Sequence, residues 1–586
     1  MSPDKLKSGR YGPEASANPK PFPLAVGLRG VLREGYTFKK LRADVTAGVI
    51  VGVVALPLSM ALAIASGVPP QHGLYTAIIA GGLIAVAGGS RLNVSGPTAA
   101  FVVLLAPVAA KYGVGGLAVA SLMAGGFLVI MGLARLGRLI QFVPHPVTTG
   151  FTAGIAVVIA TLQIKDFFGL PVVSTGDHYW ERVSDIARAF PGLSYADMGI
   201  AALTLLVLIL WPKITRRVPG PLVAISLGAL AAYALAEFTG VSVATIASRF
   251  SYVKDGVTHA GIPQVPPLPG LPWNLPGADG TPIGISWDLV RELAGPAMAI
   301  AALGAIESLL SAVVSDGMAG TRHDPDSELV GQGLGNLAAP FFGGFAATGA
   351  IARTATSVRN GGRSPVASVT HALFVLAAVM ALAPVLGFLP MASMAALLLI
   401  VAWNMSDARH FLHMLKVAPR SDVMVMLACF GLTVAFDMVI AVGVGIVLAA
   451  LLFMRRMAEI SGSRVISNGA NAERKDLPEG VTMYEIAGPM FFGAADKAIG
   501  AIATSGTARC LIIDMHAVPA MDATGLVAFE SLLRKLKDTG TQVQIVALQP
   551  QPRRVLGKAG IGEGSAGITF HSGIDGAIDA ARRATT

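Results

Sequence analysis

Two stretches decide how this chain folds: Ser95-Gly96-Pro97-Thr98-Ala99-Ala100 and Ala347-Thr348-Gly349-Ala350-Ile351-Ala352-Arg353-Thr354. Each is a glycine-punctuated break inside apolar sequence, where an interrupted helix leaves backbone N–H groups without partners. A membrane tolerates such a break only where it is buried in protein or lines a watery cavity. Paired breaks in the two halves of a polytopic chain point to the substrate site of a carrier.

The surrounding composition agrees with a lipid environment. The 586 residues are 53% hydrophobic and only 13% charged, against about 25% charged in soluble domains. Stretches such as Val45 to Ala65 carry almost no charge and are long enough to cross about 30 Å of hydrocarbon. The formal charge of +9 does not form a nucleic-acid stripe. Lys5, Lys7, Arg10, Lys20, Arg29, Arg33, Lys39, Lys40 and Arg42 precede the first span, and other cations fall in short loops. That is the positive-inside pattern. The first forty residues have no apolar h-region, so no cleavable signal peptide is expected. Cys429 and Cys510 make neither a disulfide framework nor a metal site and are read as packing residues.

About fourteen apolar segments lie between Asp44 and Met457, with cores near 45–66, 72–89, 96–111, 114–134, 146–168, 197–211 and 219–237 in the first half. The second half offers 294–315, 329–346, 349–358, 366–386, 388–404, 422–436 and 438–454. With this count, Arg91, Arg135, Arg138, Lys213, Arg216, Arg217, Arg322, Arg359, Arg363, Arg409, Lys416, Arg420, Arg455 and Arg456 all fall on the side of the N-terminus. That side is expected to be cytoplasmic. Pro97 and Gly349 are offset by 349 − 97 = 252 residues. Seven segments per half invert the second repeat, the ground plan of alternating-access carriers. The expected division is an N-terminal cytoplasmic segment 1–43, a transmembrane domain 44–457, a linker 458–480 and a small soluble α/β domain 481–586. In the last, 510–515 and 542–548 read as strands and 525–538 as an amphipathic helix.

Helices opening at Thr98 and Ile351 would present positive dipole ends and free N–H groups, a ready anion site. Arg353, in the first turn of the second, offers a planar fork for an oxyanion; the alternative is a structural pair with Glu307. Glu307, in an otherwise apolar helix with Ser311 one turn on, is a candidate proton carrier. Holding Na⁺ together with Ser311, or a permanent strut to Arg353, are the other readings. Leu58 and Leu62, beside Pro57, are expected as apolar cavity walls. Gly331, Gly333 and Gly335 are spaced for close helix contact. Asp437, His145 and His371 are read as interfacial. In the soluble domain Asp522 is expected to cap a helix, and Thr524 stands where a phosphoryl group would be exposed and stabilised by the helix dipole. No Walker, Rossmann, HExxH or nucleophile-elbow motif appears, so neither enzymatic chemistry nor a cofactor or metal is expected.

The chain resembles the SulP anion transporter family, solute carrier family twenty-six, over about 40–460, with a C-terminal STAS domain over 480–580. The motifs are Ala55-Leu56-Pro57 to Gly73-Leu74-Tyr75, Ser95-Gly96-Pro97-Thr98, Glu307-Ser308-Leu309-Leu310, Gly331-Gln332-Gly333-Leu334-Gly335-Asn336, Ala352-Arg353-Thr354 and Asp522-Ala523-Thr524-Gly525. Within it, the runs Ser327-Glu328-Leu329-Val330 to Gly343-Gly344 and Met394 to Ser406 are most similar to bacterial C4-dicarboxylate carriers. The resemblance implies a core and a gate domain, an elevator-type motion, a homodimer and an inner-membrane location with both termini cytoplasmic. It also places substrate contacts at Thr98, Ala350, Ile351 and Arg353 and the coupling acid at Glu307; Ala99, Gly349 and Ala352 beside them complete the expected substrate-binding set. The expected function is proton-coupled uptake of a small dianion, C4-dicarboxylates such as succinate, fumarate or aspartate first; the alternatives are a sulfate or bicarbonate carrier, with Na⁺ as an alternative coupling ion, or an anion channel or exchanger. The expected partners are that anion, protons, the bilayer and a cytoplasmic protein for the STAS domain, with no nucleic acid.

Overall fold

The computed structural model describes residues 24–140, 143–172, 179–215, 218–254, 256–436, 438–460, 462–466, 477–491, 508–562 and 567–585. Lys5, Lys7, Arg10, Lys20, Arg216, Arg217 and Asp437 lie outside them. Residues 1–445 and 446–586 form two compact units.

The first unit is helical. A short helix α1 (Val26–Arg33) precedes α2 (Phe38–Ala65), α3 (Pro70–Ala87), α4 (Ala99–Leu133), α5 (His145–Phe167), α6 (Tyr179–Ala189), α7 (Tyr195–Ile214) and α8 (Gly220–Thr239). The second half brings α9 (Trp287–Ala319), α10 (Pro325–Ala338), α11 (Ile351–Arg359), α12 (Pro365–Leu386), α13 (Met391–Ser406), α14 (Ala408–Val417), α15 (Arg420–Ala435) and α16 (Met438–Ile460). Seven of these helices, and the run of α13 and α14 taken together (Met391–Val417), are each long and apolar enough to cross a membrane. Of the others that match expected segments, α3, α10, α11 and α15 have 18, 14, 9 and 16 residues, and α16, with 23, contains the boundary between the two units. Helix α4 covers two expected segments, and Gly113 divides them with a left-handed φ of 69°. Its first part, Ala99 to Gly113, is only about 22 Å long at 1.5 Å per residue, too short to span alone.

Helix α10 lies where the small residues of its face permit. A Cβ on Gly333 would stand 2.7 Å from the Val129 nitrogen and 2.8 Å from the Gly125 carbonyl oxygen of α4. A Cβ on Gly125 would stand 2.9 Å from the Gly333 carbonyl oxygen in return. Gly331 meets the backbone of Gly88 at the end of α3 in the same way, and Gly335 meets Ile84. Small residues at helix crossings let backbones approach where no hydrophobic driving force separates protein from lipid. At the α2 end, the buried Asp44 carboxylate accepts from Tyr36 Oη at 2.6 Å and from the Ser364 backbone N–H at 3.1 Å, fastening α2 to the start of α12.

The second unit holds a five-stranded sheet ordered β5-β6-β7-β8-β9 in chain order, once the two-residue strands β1 (Ser95–Gly96) and β4 (Thr348–Gly349) and the hairpin β2 (Ser251–Lys254) with β3 (Val257–Ala260) are counted. β6 (Val481–Ala487), β7 (Cys510–Ala517), β8 (Gln542–Val546) and β9 (Ile568–His571) are parallel. β5 (Gly462–Ile466) pairs antiparallel on β6, inside the stretch expected to be linker. Alternate residues of β7 serve opposite layers. Leu511 and Ile513 pack with Phe529 and Leu532 of α17 (Ala523–Asp538), whereas Cys510 and Ile512 pack with Ile578 and Ala581 of α19 (Ile574–Thr585). Helix α18 (Pro550–Lys558) follows α17 in the chain, and its Leu556 packs in the same layer as Phe529. A parallel sheet is buried on both faces, so its strands read as continuous apolar runs. Cys429 is likewise buried, within α15.

Replacing Gly333 by Leu forces a side chain into the α4 backbone. Overpacking of this kind costs about 1–3 kcal/mol, so the thermal midpoint of the purified variant should fall. An unchanged midpoint would show that the α4–α10 crossing is looser than described.

Candidate functional site

The two glycine breaks meet. β1 and β4 form a two-residue antiparallel ladder in which Ser95 faces Gly349 and Gly96 faces Thr348. The Ala350 N–H extends it by donating to the Val94 carbonyl at 2.8 Å. This pairing satisfies backbone groups that an interrupted helix would otherwise strand in a water-free layer. Glycine is required at both places for space. A Cβ on Gly96 would stand 2.5 Å from Arg353 Nη1, and one on Gly349 would stand 2.7 Å from Asn93 Nδ2.

From this ladder the chain turns directly into two helices. Thr98 and Ala350 are the N-caps of α4 and α11, both with extended backbone, and neither helix end receives a side-chain cap. The N–H groups of both first turns are therefore open to a ligand. Thr98 does not cap because its hydroxyl is engaged elsewhere: it donates to Glu307 Oε2 at 2.9 Å.

Arg353 lies in the first turn of α11 and is 2% exposed. Its Nη2 donates to the Pro97 carbonyl at 2.7 Å, which ties the second break to the first. Its Nε and Nη1 are buried and have no protein partner. Among the described residues no ion pair joins Arg353 to Glu307, so the strut considered from the sequence is absent. A buried guanidinium with two idle nitrogens beside two uncapped helix ends is suited to an oxyanion.

The remaining expected residues divide. Ala99 and Ala350 are buried at the helix openings, whereas Ile351 and Ala352 are exposed. Leu58 is half-buried and Leu62 is fully buried. Ser311 is not brought to Glu307. Its hydroxyl donates to Asn93 Oδ1 at 2.6 Å and lies 3.1 Å from Thr354 Oγ1, because this part of α9 packs against the loop that enters the first break. His371, expected at an interface, is fully buried in α12 with both ring nitrogens unpartnered. His145 does lie at an exposed helix end, 3.0 Å from His410 between Nε2 atoms. In the second unit Asp522 caps α17, accepting from the Gly525 N–H at 2.7 Å, and Thr524 is exposed beside it.

Sequence reasoning missed a polar cluster beneath the ladder. Glu328 is 1% exposed. Its Oε2 accepts from the Gly89 and Ser90 N–H groups at 3.0 and 2.9 Å; its Oε1 accepts from Asn93 Nδ2 at 2.7 Å and Ser308 Oγ at 2.9 Å. Gln332 adds bonds to Ser95 Oγ at 2.9 Å and to Ser308 Oγ at 2.7 Å. Thr354, one residue after Arg353, accepts the Val94 N–H at 2.9 Å. The cluster holds the first break, α9, α10 and α11 in one register. Its only sequence signal was polarity: Asn93, Glu328 and Gln332 interrupt otherwise apolar surroundings.

The fold and site can be set beside known proteins. A model of the sulfate permease family matches residues 41–429, and a STAS domain model matches 474–572. A Bacillus subtilis protein named "Putative sulfate transporter YvdB" is 39% identical over 533 residues, covering 90% of this chain and 95% of its own. A protein of Picosynechococcus named "Bicarbonate transporter BicA" is 28% identical over 89% of this chain and 91% of its own. The structure of the murine Slc26a9 anion transporter in an inward-facing state superposes with a TM-score of 0.81 over 99% of this chain and 97% of that one, at 18% identity, a likeness of fold. The chain is a multi-pass membrane protein of the sulfate permease family, with a C-terminal STAS domain.

Proposed function

We propose that this protein is a secondary transporter of a small inorganic oxyanion, sulfate first and bicarbonate second. The observation that carries the reading is Arg353, buried yet with Nε and Nη1 unpartnered, beside two uncapped helix N-termini. An oxyanion would take both guanidinium nitrogens and the first-turn N–H groups of α4 and α11. Its oxygens would replace the hydration shell with fixed dipoles. The C4-dicarboxylate expectation drew on short sequence runs; the names of the relatives, sulfate for YvdB and bicarbonate for BicA, favour the inorganic alternative.

Glu307 is the proposed coupling group. Its carboxylate is joined to Thr98, the residue that opens α4. Protonation of Glu307 would cancel a negative charge near the site as the anion enters. Loss of the proton would reverse that and favour release. Of the neighbouring groups considered for coupling, Ser311 is bonded to Asn93 and Glu328 is bonded by five donors. That leaves Glu307 as the acid in contact with a helix opening.

In proteoliposomes, labelled sulfate or bicarbonate uptake should exceed labelled succinate uptake. Uptake of succinate alone would overturn the oxyanion assignment. Arg353→Ala removes two charge-assisted bonds, so uptake should fall by about a hundredfold or more, and Arg353→Lys should recover only part because it lacks the fork. Glu307→Gln should abolish stimulation by an inward proton gradient while leaving anion exchange. Stimulation that survives the substitution would refute the coupling role.

A further inference from the structure

Away from the site, an apolar groove of about 770 Å³ runs between α5, α7, α13, α14 and α15. Its floor is made of small residues, including Ala156 and Ala160 of α5, and its walls include Ile209, Trp403, Phe411 and Leu412. Ile209, Leu412 and Trp403 are 48%, 56% and 67% exposed, so the groove opens outward along an apolar rim. A narrow trough of this kind fits an extended hydrocarbon chain. Trp403 stands at its α14 end, and tryptophan favours the level of the lipid headgroups.

Helix α14 crosses that end and is amphipathic. Phe411 and Leu412 face the groove. Arg409, His413 and Lys416 are exposed and follow one another at spacings of four and three, which places them on a common stripe. Arg420 opens the next helix. Of the nearby acids, Asp407 lies two residues before Arg409 and off the stripe, and Asp422 is bonded by the Ser421 hydroxyl at 3.2 Å. The contact of His410 with His145 at the start of α5 holds α14 over the groove. A helix with this division of faces suits the plane of the membrane interface.

We propose that this groove is a binding site for an anionic phospholipid, one acyl chain occupying the trough and the phosphate lying against Arg409, Lys416 and Arg420. Charge complementarity selects the headgroup and the small-residue floor accommodates the chain. A second copy of this protein is the poorer occupant. A two-fold contact centred on the groove would set the cationic stripe against its own image.

The test uses the full chain, purified from mixed phosphatidylglycerol and phosphatidylcholine vesicles and examined by native mass spectrometry for retained lipid. Phosphatidylglycerol should be retained in preference, and the preference should fall roughly fivefold for each cation removed in Arg409→Gln and Lys416→Gln. Ala160→Trp should displace the lipid with all cations in place, while Thr482→Ser in the second unit should leave retention unchanged. Equal retention of both lipids, or retention unaffected by the Gln and Trp substitutions, would overturn the proposal. So would efficient disulfide formation between Val157→Cys residues of two copies, which would assign the groove to a protein contact.

Discussion

Everything in the first unit depends on four residues satisfying one another's backbone. A helix broken inside a bilayer strands polar groups at a cost of several kcal/mol each, and Ser95, Gly96, Thr348 and Gly349 meet that cost with a miniature ladder. Once the ladder exists, two helices must begin beside it, and their uncapped ends must face one region. Arg353 then binds the ladder from one side through Pro97, and the Glu328 cluster supports it from beneath. The site is thus a by-product of how the fold manages its own interrupted backbone.

This dependence explains which features were readable in the chain. The breaks were plain because glycine and proline punctuate an apolar run, and Arg353 and Glu307 were plain because charge is rare there. The lengths of the apolar segments also located most helices, including the division of α4 near Gly113. Ser311 shows the limit. Spacing of four says which side of a helix a residue occupies, but Asn93, 218 positions away, decides what its hydroxyl meets. Glu328 is the same case: two of its donors are the backbone of Gly89 and Ser90, and backbone donors leave no mark in sequence. His371 was misread because nearness to a span end in sequence says nothing of how deeply that end is packed, and α12 begins inside the protein. β5 was read as linker because a short edge strand with polar residues has no apolar run to announce it.

The two units illustrate different uses of one rule. In the sheet of the second unit, alternate residues of β7 are shared between two helical layers, and burial on both faces holds it together. In the helical unit, apolar area offers no such preference, because lipid is as apolar as leucine. Close approach through Gly125, Gly331 and Gly333 takes its place.

The ladder has a further consequence through its symmetry. Its register, Ser95 with Gly349 and Gly96 with Thr348, is that of two strands related by a local two-fold axis. That axis maps Ser95 onto Thr348 and Gly96 onto Gly349, an offset of 253 residues, whereas the helix openings at Thr98 and Ala350 are offset by 252. In an inverted repeat the same rotation exchanges the two faces of the membrane. Arg353 breaks the equivalence, since by either offset its counterpart, Ala100 or Phe101, is uncharged. The two breaks are therefore related in backbone but not in charge. Arg353, in the first turn of the second opening and bonded to the first break at Pro97, is a contribution of the second repeat alone.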